Sequence, residues 1–433
     1  MSVAILPLDL IIEILARLPV KSLIRFKCVS KSWYALIQNP HFISKHLHNS
    51  TILFENRDLI ISQSHPRIGS NALILLSSKT LDVFQEMKVP EAFEKAKRLQ
   101  ISGPCNGIYC VWTEDGITLW NPAIRQLKLV PKLGISFELP KNLNRTCYGF
   151  GFDRASDDYK LVRTMFPGGG GGGKGMLNIY SLKNDSWKII NTHVEFPVLL
   201  HHPCVSLNGV LYWPALVEKQ TCRMSKSLFA FNLANEKFLE IPLPIDVCSD
   251  EKILTISVLN DSIALVAFDF GPHVIWQCFD IWVMREDYDA CGDDRYSWTR
   301  LLRFGPLPQV SYPLGFQRNG ELILHSDEEL IMLDRNNQGV KRVPVSGQVY
   351  FYEESLISIK VETVAFDVST GIGRPLHMPL LDDETHMVHD VLLVIFVCLI
   401  FSDTQTHVMP LFLDEASHVW IAAFLGNHEF REL

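Results

Sequence analysis

The stretch LFAFNLANEKFLEIPLP, Leu228 to Pro244, decides the fold. An apolar run leads into a polar turn around Asn232, Asn235 and Glu236, and a second apolar run then ends at proline, which is the pattern of a β-hairpin. Units of the same texture begin at Ile117 (ITLWNPAIRQLKLVP), Leu177 (LNIYSLKNDSWKII), Cys278 (CFDIWVMREDYDACGDDRYSWTRLLRF) and Leu330 (LIMLDRNNQGVKRVP). Their starts lie 60, 51, 50 and 52 residues apart.

Between them sit second hairpins, CNGIYCVWTEDG, YGFGFDRASDDYKLVR, PCVSLNGVLYW and LGFQRNGELILHSD. Two hairpins per roughly fifty residues make a four-stranded sheet, the blade of a kelch-type β-propeller. A β-sandwich is the competing architecture, but it need not keep a long fixed period. Five repeats can be counted, and six if ETVAFDVSTGIGRPLHMP from Glu362 forms another hairpin.

The first fifty residues differ. From Leu6 to Leu47 they read as three short helices, the first carrying Leu10, Ile11, Ile14, Leu15 and Leu18 at helical spacing and stopping at Pro19. Ser22 is a candidate start for the second helix, which holds Leu23 and Phe26, and Ser30 or Ser32 for the third, which holds Trp33, Leu36 and Ile37. So small a unit hides little of its surface, so part of this apolar face is expected to need a partner.

The order Leu6-Pro7, Asp9-Leu10, Glu13-Ile14-Leu15, Arg17-Leu18-Pro19, Val20-Lys21-Ser22-Leu23, Arg25-Phe26, Val29-Ser30-Lys31 and Trp33 resembles the F-box. The resemblance implies docking on a Skp-type adaptor, and through it on cullin and RING subunits of an SCF ubiquitin ligase. The residues it nominates for adaptor contact are Leu6, Pro7, Ile11, Leu15, Leu18, Pro19, Leu23, Phe26, Val29 and Trp33. The repeat region resembles the plant F-box-associated, kelch-like domain in Leu119-Trp120-Asn121-Pro122, Gly149 to Asp153, Tyr159 to Val162, Asp185-Ser186-Trp187 and Asn208 to Trp213. Phe279 to Met284 with Ser297-Trp298, Gly103 to Gly107 and Tyr352 to Leu356 are similar to the S-locus branch and its paralogues. That branch implies a secreted pistil ribonuclease, an S-RNase, as substrate, whereas a paralogue would take another protein.

The expected organisation is α+β and multidomain: a three-helix F-box over 1–50, a mainly β, kelch-like β-propeller over 51–360, and an atypical extension over 361–433. The extension is a further blade, a wrapped strand or a gene-model artefact, and the three stay open. With 433 residues, 47% hydrophobic and 20% charged, the chain can bury a substantial core. Residues 1–50 hold six Lys and Arg against two acids and the rest hold 34 against 46, so the net −8 argues against nucleic acid as the main ligand. The run Val391 to Phe401 is short of the roughly 18 residues of a spanning helix, so no membrane partner is expected. Ten cysteines without a CxxC pair, and no secretory signal, read as reduced thiols in a cytoplasmic or nuclear protein.

Enzyme signals are weak. Gly168 to Gly173 with Lys174 approaches a phosphate loop, but Gly175 stands where the magnesium-binding hydroxyl belongs, so a flexible connection is the better reading. His201 and His202 with Cys204 read as a surface turn, and Cys105 and Cys110 as core thiols on opposite strand faces, so no metal and no cofactor are expected. The pairs Asp157-Asp158 and Asp293-Asp294 lie in polar turns. Trp120, Trp187, Trp213, Trp282 and Trp298 recur at comparable hairpin positions and are expected to pack between blades. Substrate contacts are sought in loops, first in Asp287, Tyr288, Asp293, Asp294 and Arg295. The function expected is a non-catalytic, substrate-recognising subunit of a ubiquitin ligase; the alternative is a ligand-binding or enzymatic propeller with a helical cap.

Overall fold

The computed structural model describes residues 7–53, 58–64, 71–77, 83–94, 96, 99–133, 145–166, 174–195, 198–199, 204–218, 224–248, 252–269, 274, 276–287, 295–308, 312–325, 329–334, 340–344 and 348–359. The extension over 361–433, with the hairpin expected from Glu362, lies outside them.

Four helices come first: α1 (Leu8–Leu15), α2 (Val20–Phe26), α3 (Lys31–Gln38) and α4 (Pro40–Leu53). Three were expected over this segment. The extra boundary lies at Asn39-Pro40, where Pro40 takes the first helical position and the Asn39 side chain accepts the His41 N–H at 2.8 Å. Ser30 caps α3 as expected, accepting the Trp33 N–H at 3.2 Å. Ile11, Leu15, Val20, Leu23, Phe26, Trp33 and Ile37 are buried, with the Phe26 and Trp33 rings edge-on at 5.4 Å.

The strands then form six sheets. In chain order they are β1 (Leu59–Ser64), β2 (Asn71–Leu76) and β3 (Val83–Met87); after the short helix α5 (Glu91–Glu94) come β4 (Gln100–Cys105), β5 (Ile108–Thr113), β6 (Gly116–Asn121) and β7 (Gln126–Leu129). The next sheet is β8 (Arg145–Asp153), β9 (Asp158–Phe166), β10 (Lys174–Ser181) and β11 (Ser186–Glu195). It is followed by β12 (Val198–Leu199), β13 (Val205–Leu207), β14 (Val210–Glu218), β15 (Met224–Asn232) and β16 (Lys237–Pro242). The fourth is β17 (Lys252–Leu259), β18 (Ser262–Asp269), β19 (Trp276–Glu286) and β20 (Tyr296–Pro308); the fifth is β21 (Tyr312–Phe316), β22 (Leu322–His325), β23 (Glu329–Leu333) and β24 (Val340–Pro344).

The sixth sheet corrects the expected source of the last blade. It runs β25 (Gln348–Phe351), β1, β2, β3, so its inner strand comes from the far end of the repeat region and its other three from residues 59–87. Inner strands of successive blades adjoin one another, from β4 to β8, to β13 and β14, to β17 and to β21, and β25 returns to β4. Between each pair of neighbouring blades lies one apolar cluster. The cluster at the closing junction holds Ile60, Leu73 and Phe93 against Ile101, Tyr109 and Trp120.

The repeated phrases recur because their duties recur. Gly149 and Gly151 let the second blade approach the third: a Cβ on Gly149 would stand 2.4 Å from Trp213 Cζ2. Trp187 donates its indole N–H to the Pro131 carbonyl at 2.6 Å, and Trp298 donates to Pro242 at 2.9 Å, each tying an outer strand to the blade before it. Cys105 and Cys110 are core thiols, but both pack in the same cluster, because the Asn106-Gly107 turn between them resets the strand alternation. Burial pushes the Cys105 thiol up to about 12.

After β25 the chain runs on as Tyr352–Ile359 across the first blade. Buried Asn121 donates through Nδ2 to the carbonyls of Ser355 (3.1 Å) and Ile357 (2.9 Å), while its Oδ1 accepts the Ala123 N–H. The Gln126 side chain accepts the Ile359 N–H at 3.0 Å, and Ile359 is fully buried. Gly107 adopts φ +76°, and a Cβ there would meet Ser355 Cβ at 2.4 Å. Asn121→Ala therefore removes this donor from the buried Ser355 carbonyl and the part-buried Ile357 carbonyl and is expected to cost about 1–3 kcal/mol, measured by denaturant unfolding.

Candidate functional site

The helical end presents two kinds of apolar residue. Of those nominated for adaptor contact, Ile11, Leu15, Leu23, Phe26 and Trp33 are interior. Pro7 and Pro19 are exposed, Leu18 and Val29 are half-buried, and Leu6 lies outside the described residues. Three apolar side chains not nominated are more open: Leu8 at 36%, Leu10 at 49% and Tyr34 at 50% exposure. Periodicity identified this apolar stripe, but not which of its members the helices use on one another.

The helices are joined to the propeller through its closing strand. The Ser22 hydroxyl was the expected cap of α2; instead the Val20 N–H donates to Glu354 Oε2 at 3.0 Å, a carboxylate 334 residues away in sequence. A negative group suits the positive end of a helix dipole. Beside it, the Arg318 guanidinium donates to the Ser50 carbonyl at 3.1 Å and lies 3.6 Å from the Glu353 carboxylate. Arg318 belongs to the turn joining β21 to β22, and Glu354 follows β25, so the helices sit at the end of the propeller formed by the first-to-second strand turns.

That placement sorts the loops. In an antiparallel blade the first-to-second and third-to-fourth connections share one end, and the second-to-third connections open at the other. Asp287 and Arg295 join β19 to β20, a third-to-fourth connection, and so lie at the helical end. The Asp287 N–H donates to the Arg295 carbonyl at 2.8 Å, and Arg295 pairs with Glu286 through Nε and Nη2 at 3.0 and 2.6 Å. Tyr288, Asp293 and Asp294, the glycine run 168–173, and His201 and His202 lie outside the described residues. β9 and β10, which the glycine run connects, face their loop ends away from the helices.

A cleft of about 220 Å³ between the second and third blades is lined by Asp158, Lys160, Trp187, Lys188 and Glu236. Lys188 pairs with Glu236 at 2.5 Å and Lys160 with Asp153 at 2.8 Å, while Asp158 accepts from the Ser181 hydroxyl and the Lys183 N–H. Among the described residues no group of three or more His, Cys, Asp or Glu could hold a metal ion, and no helix is long and apolar enough to cross a membrane.

Four helices joined to a six-bladed propeller make a two-part chain. The family model described as "F-box associated beta propeller domain" matches residues 59–387, and the F-box domain model matches residues 4–45. The chain belongs to the plant F-box proteins that carry this propeller. The propeller match runs past the boundary at 360 expected from sequence. Among curated relatives, the F-box/kelch-repeat protein At3g23880 of Arabidopsis thaliana is 28% identical over 82% of this chain and 94% of its own length. The F-box/WD-40 repeat-containing protein 1 and F-box protein CPR1 of the same plant are each 26% identical, over 78% and 77% of this chain and 80% of their own lengths. Among solved structures, an oligogalacturonate lyase from Vibrio parahaemolyticus matches with a TM-score of 0.37 and 9% identity over 67% of this chain and 75% of its own, too distant to carry an argument.

The Glu354 cap has a pH signature. Burial raises its carboxyl above the ordinary carboxylate value, outweighing the lowering effect of the Val20 N–H. The folded chain thus holds this proton more tightly than the unfolded one, and stability from this group declines as pH rises from the ordinary carboxylate range through the raised value. Glu354→Gln keeps an oxygen acceptor without the charge and is expected to remove that slope. Glu354→Ala loses the acceptor and is expected to cost about 0.5–2 kcal/mol. Unfolding temperature against pH for the three proteins is the measurement.

Proposed function

We propose that this protein is the non-catalytic, substrate-recognition subunit of an SCF-type ubiquitin ligase, acting in the cytoplasm or nucleus. Its helical end binds a Skp-type adaptor, and through it cullin and RING subunits; its propeller holds a protein substrate. The observation that carries this reading is the pairing of an F-box, whose Leu8, Leu10 and Tyr34 remain open to a partner, with a propeller of the F-box-associated family. The chemistry contributed is proximity: tethering makes ubiquitin transfer effectively intramolecular. The finer reading, an S-RNase as substrate, rests on the S-locus-like phrases of the sequence and on an acidic chain that would attract a basic ribonuclease. Capture of S-RNases from pistil extract by the immobilised ligase supports it, and capture of other proteins in their place replaces it with a paralogue's role.

The two kinds of apolar residue separate docking from folding. Leu10→Ala with Tyr34→Ala is expected to weaken capture of a purified Skp-type adaptor by more than about fivefold while leaving the unfolding temperature unchanged, since truncating interface anchors commonly costs more than about 1 kcal/mol. Trp33→Ala is expected instead to destabilise by about 3–5 kcal/mol. Undiminished adaptor capture by the Leu10/Tyr34 variant, with intact folding, defeats this docking assignment.

A further inference from the structure

On the face of the fourth blade turned toward the third, Asp280 of β19 is surrounded by three cations. Lys252 Nζ lies 3.5 Å from its Oδ2 and Arg303 Nε 3.8 Å from its Oδ1, and Arg300 Nη2 donates to the same Oδ1. Lys226 of the third blade donates to the Lys252 carbonyl at 2.6 Å, bringing a fourth cation, and Asp269 adds one carboxylate 3.7 Å from Lys252. Among the described ion pairs no other carboxylate gathers three cations.

Asp280 is only 10% exposed and needs a partner, but one guanidinium would suffice. Holding Lys252, Arg300 and Arg303 together costs mutual repulsion that the single carboxylate offsets only in part. Arg300 and Arg303 are 46% and 51% exposed, and each guanidinium has five N–H donors, of which the contacts to Asp280 and Cys278 engage few. The carboxylate thus sets two forked donors in place before any ligand arrives, which lowers the ordering cost of binding.

The same strand face carries an apolar anchor. Trp276, Cys278 and Asp280 alternate with buried Gln277 and Phe279 along β19, and Trp276 is 61% exposed, about 13 Å from Asp280 at the usual rise of a strand. Trp276 begins β19, Lys252 begins β17 and Asp269 ends β18, so the groove opens at the end of the propeller away from the helices.

We propose that this groove, in a chain of net charge −8, binds an acidic peptide segment of a partner protein, its Asp or Glu carboxylates on Arg300 and Arg303 and an adjoining aromatic or aliphatic side chain on Trp276. This rests on the coarser substrate-recognition reading above, a protein held by the propeller, and does not depend on the S-RNase, whose overall basic charge is a separate feature from the acidic segment proposed here.

The test uses the full chain with its adaptor and a labelled peptide of Asp and Glu around a central Tyr, read by fluorescence anisotropy. Its Asn/Gln and phosphoserine counterparts serve as controls. The acidic peptide is expected to bind with an affinity that falls as salt rises, and R300E with R303E is expected to weaken it by about tenfold or more. W276A is expected to weaken it at unchanged unfolding temperature. D280N keeps the shape of the side chain but releases the two guanidinium groups, and is expected to weaken binding of the acidic peptide at unchanged unfolding temperature, which separates lost positioning from misfolding. Equal binding of the Asn/Gln peptide, no effect of R300E with R303E, or binding of the phosphoserine peptide alone overturns the proposal. Adaptor capture, run in parallel, reports separately on the adaptor reading.

Discussion

Ring closure by β25 is the constraint on which the rest depends. Every blade core in this propeller has two walls, and without the sixth sheet the clusters at both of its flanks would face water. Residues 348–351 supply the missing inner strand by pairing with β1, whose residue Leu59 lies opposite Phe351. The entropic cost of closing so long a loop grows only with the logarithm of its length, while the apolar surface covered on both flanks grows with the area joined. The closing strand is short, so its hold is extended by Tyr352–Ile359, whose backbone is met by Asn121, Tyr109 and Gln126 side chains where no strand neighbour exists. Because Glu354 lies in this same segment, the bond that caps α2 cannot be separated from the bonds that close the ring.

Within the ring, repetition of sequence is repetition of hydrogen-bonding duty. Asn121, Asp153, Asn232 and Asn319 each turn a side-chain oxygen back on the N–H two residues on, at Ala123, Ala155, Ala234 and Glu321. Such turns need no tertiary help, which is why they recur at several of the strand reversals, while Asn106-Gly107, Asn208-Gly209 and Asn260-Asp261 reverse the chain through positive φ. Trp187 and Trp298 are a second shared device. In the blade between them the equivalent outer strand carries Phe238, which packs on Phe231 at 4.6 Å and has no indole N–H with which to reach its neighbour.

What was legible in the sequence follows from this. Hairpins are local, so their alternation, turn residues and period could be read, and the propeller with them. The origin of the sixth blade was not, because β25 is four residues long and its partner strand lies at the other end of the repeat region. Asn39-Pro40 was a readable helix boundary that the dominant apolar stripe obscured. Apolar spacing located the docking helices but could not divide Ile11 and Trp33 inside from Leu10 and Tyr34 outside, since periodicity marks a face and not its occupant. The groove around Asp280 was beyond reach altogether: Lys226, Lys252, Asp280, Arg300 and Arg303 lie on β15, β17, β19 and β20 in two blades. Only the pair in TRLLRF hinted at it, and composition had drawn attention instead to the neighbouring charged turn.

The arrangement also bears on why a binding propeller should be fastened to its docking helices by Glu353, Glu354 and Arg318. Effective concentration depends on how narrowly a tether restricts the positions its two ends can take. A free linker between residues 53 and 59 would let the propeller sample many orientations. The Val20 cap and the Arg318 bridge replace that freedom with contacts at both α2 and α4, so the two ends are held in one relation. With the basic cluster at the far end of the propeller from the helices, the acidic segment proposed above would be kept clear of the helical face and still carried at a fixed distance from it. Recognition and ligase assembly can then change independently in sequence, because the residues that hold them together belong to neither binding surface.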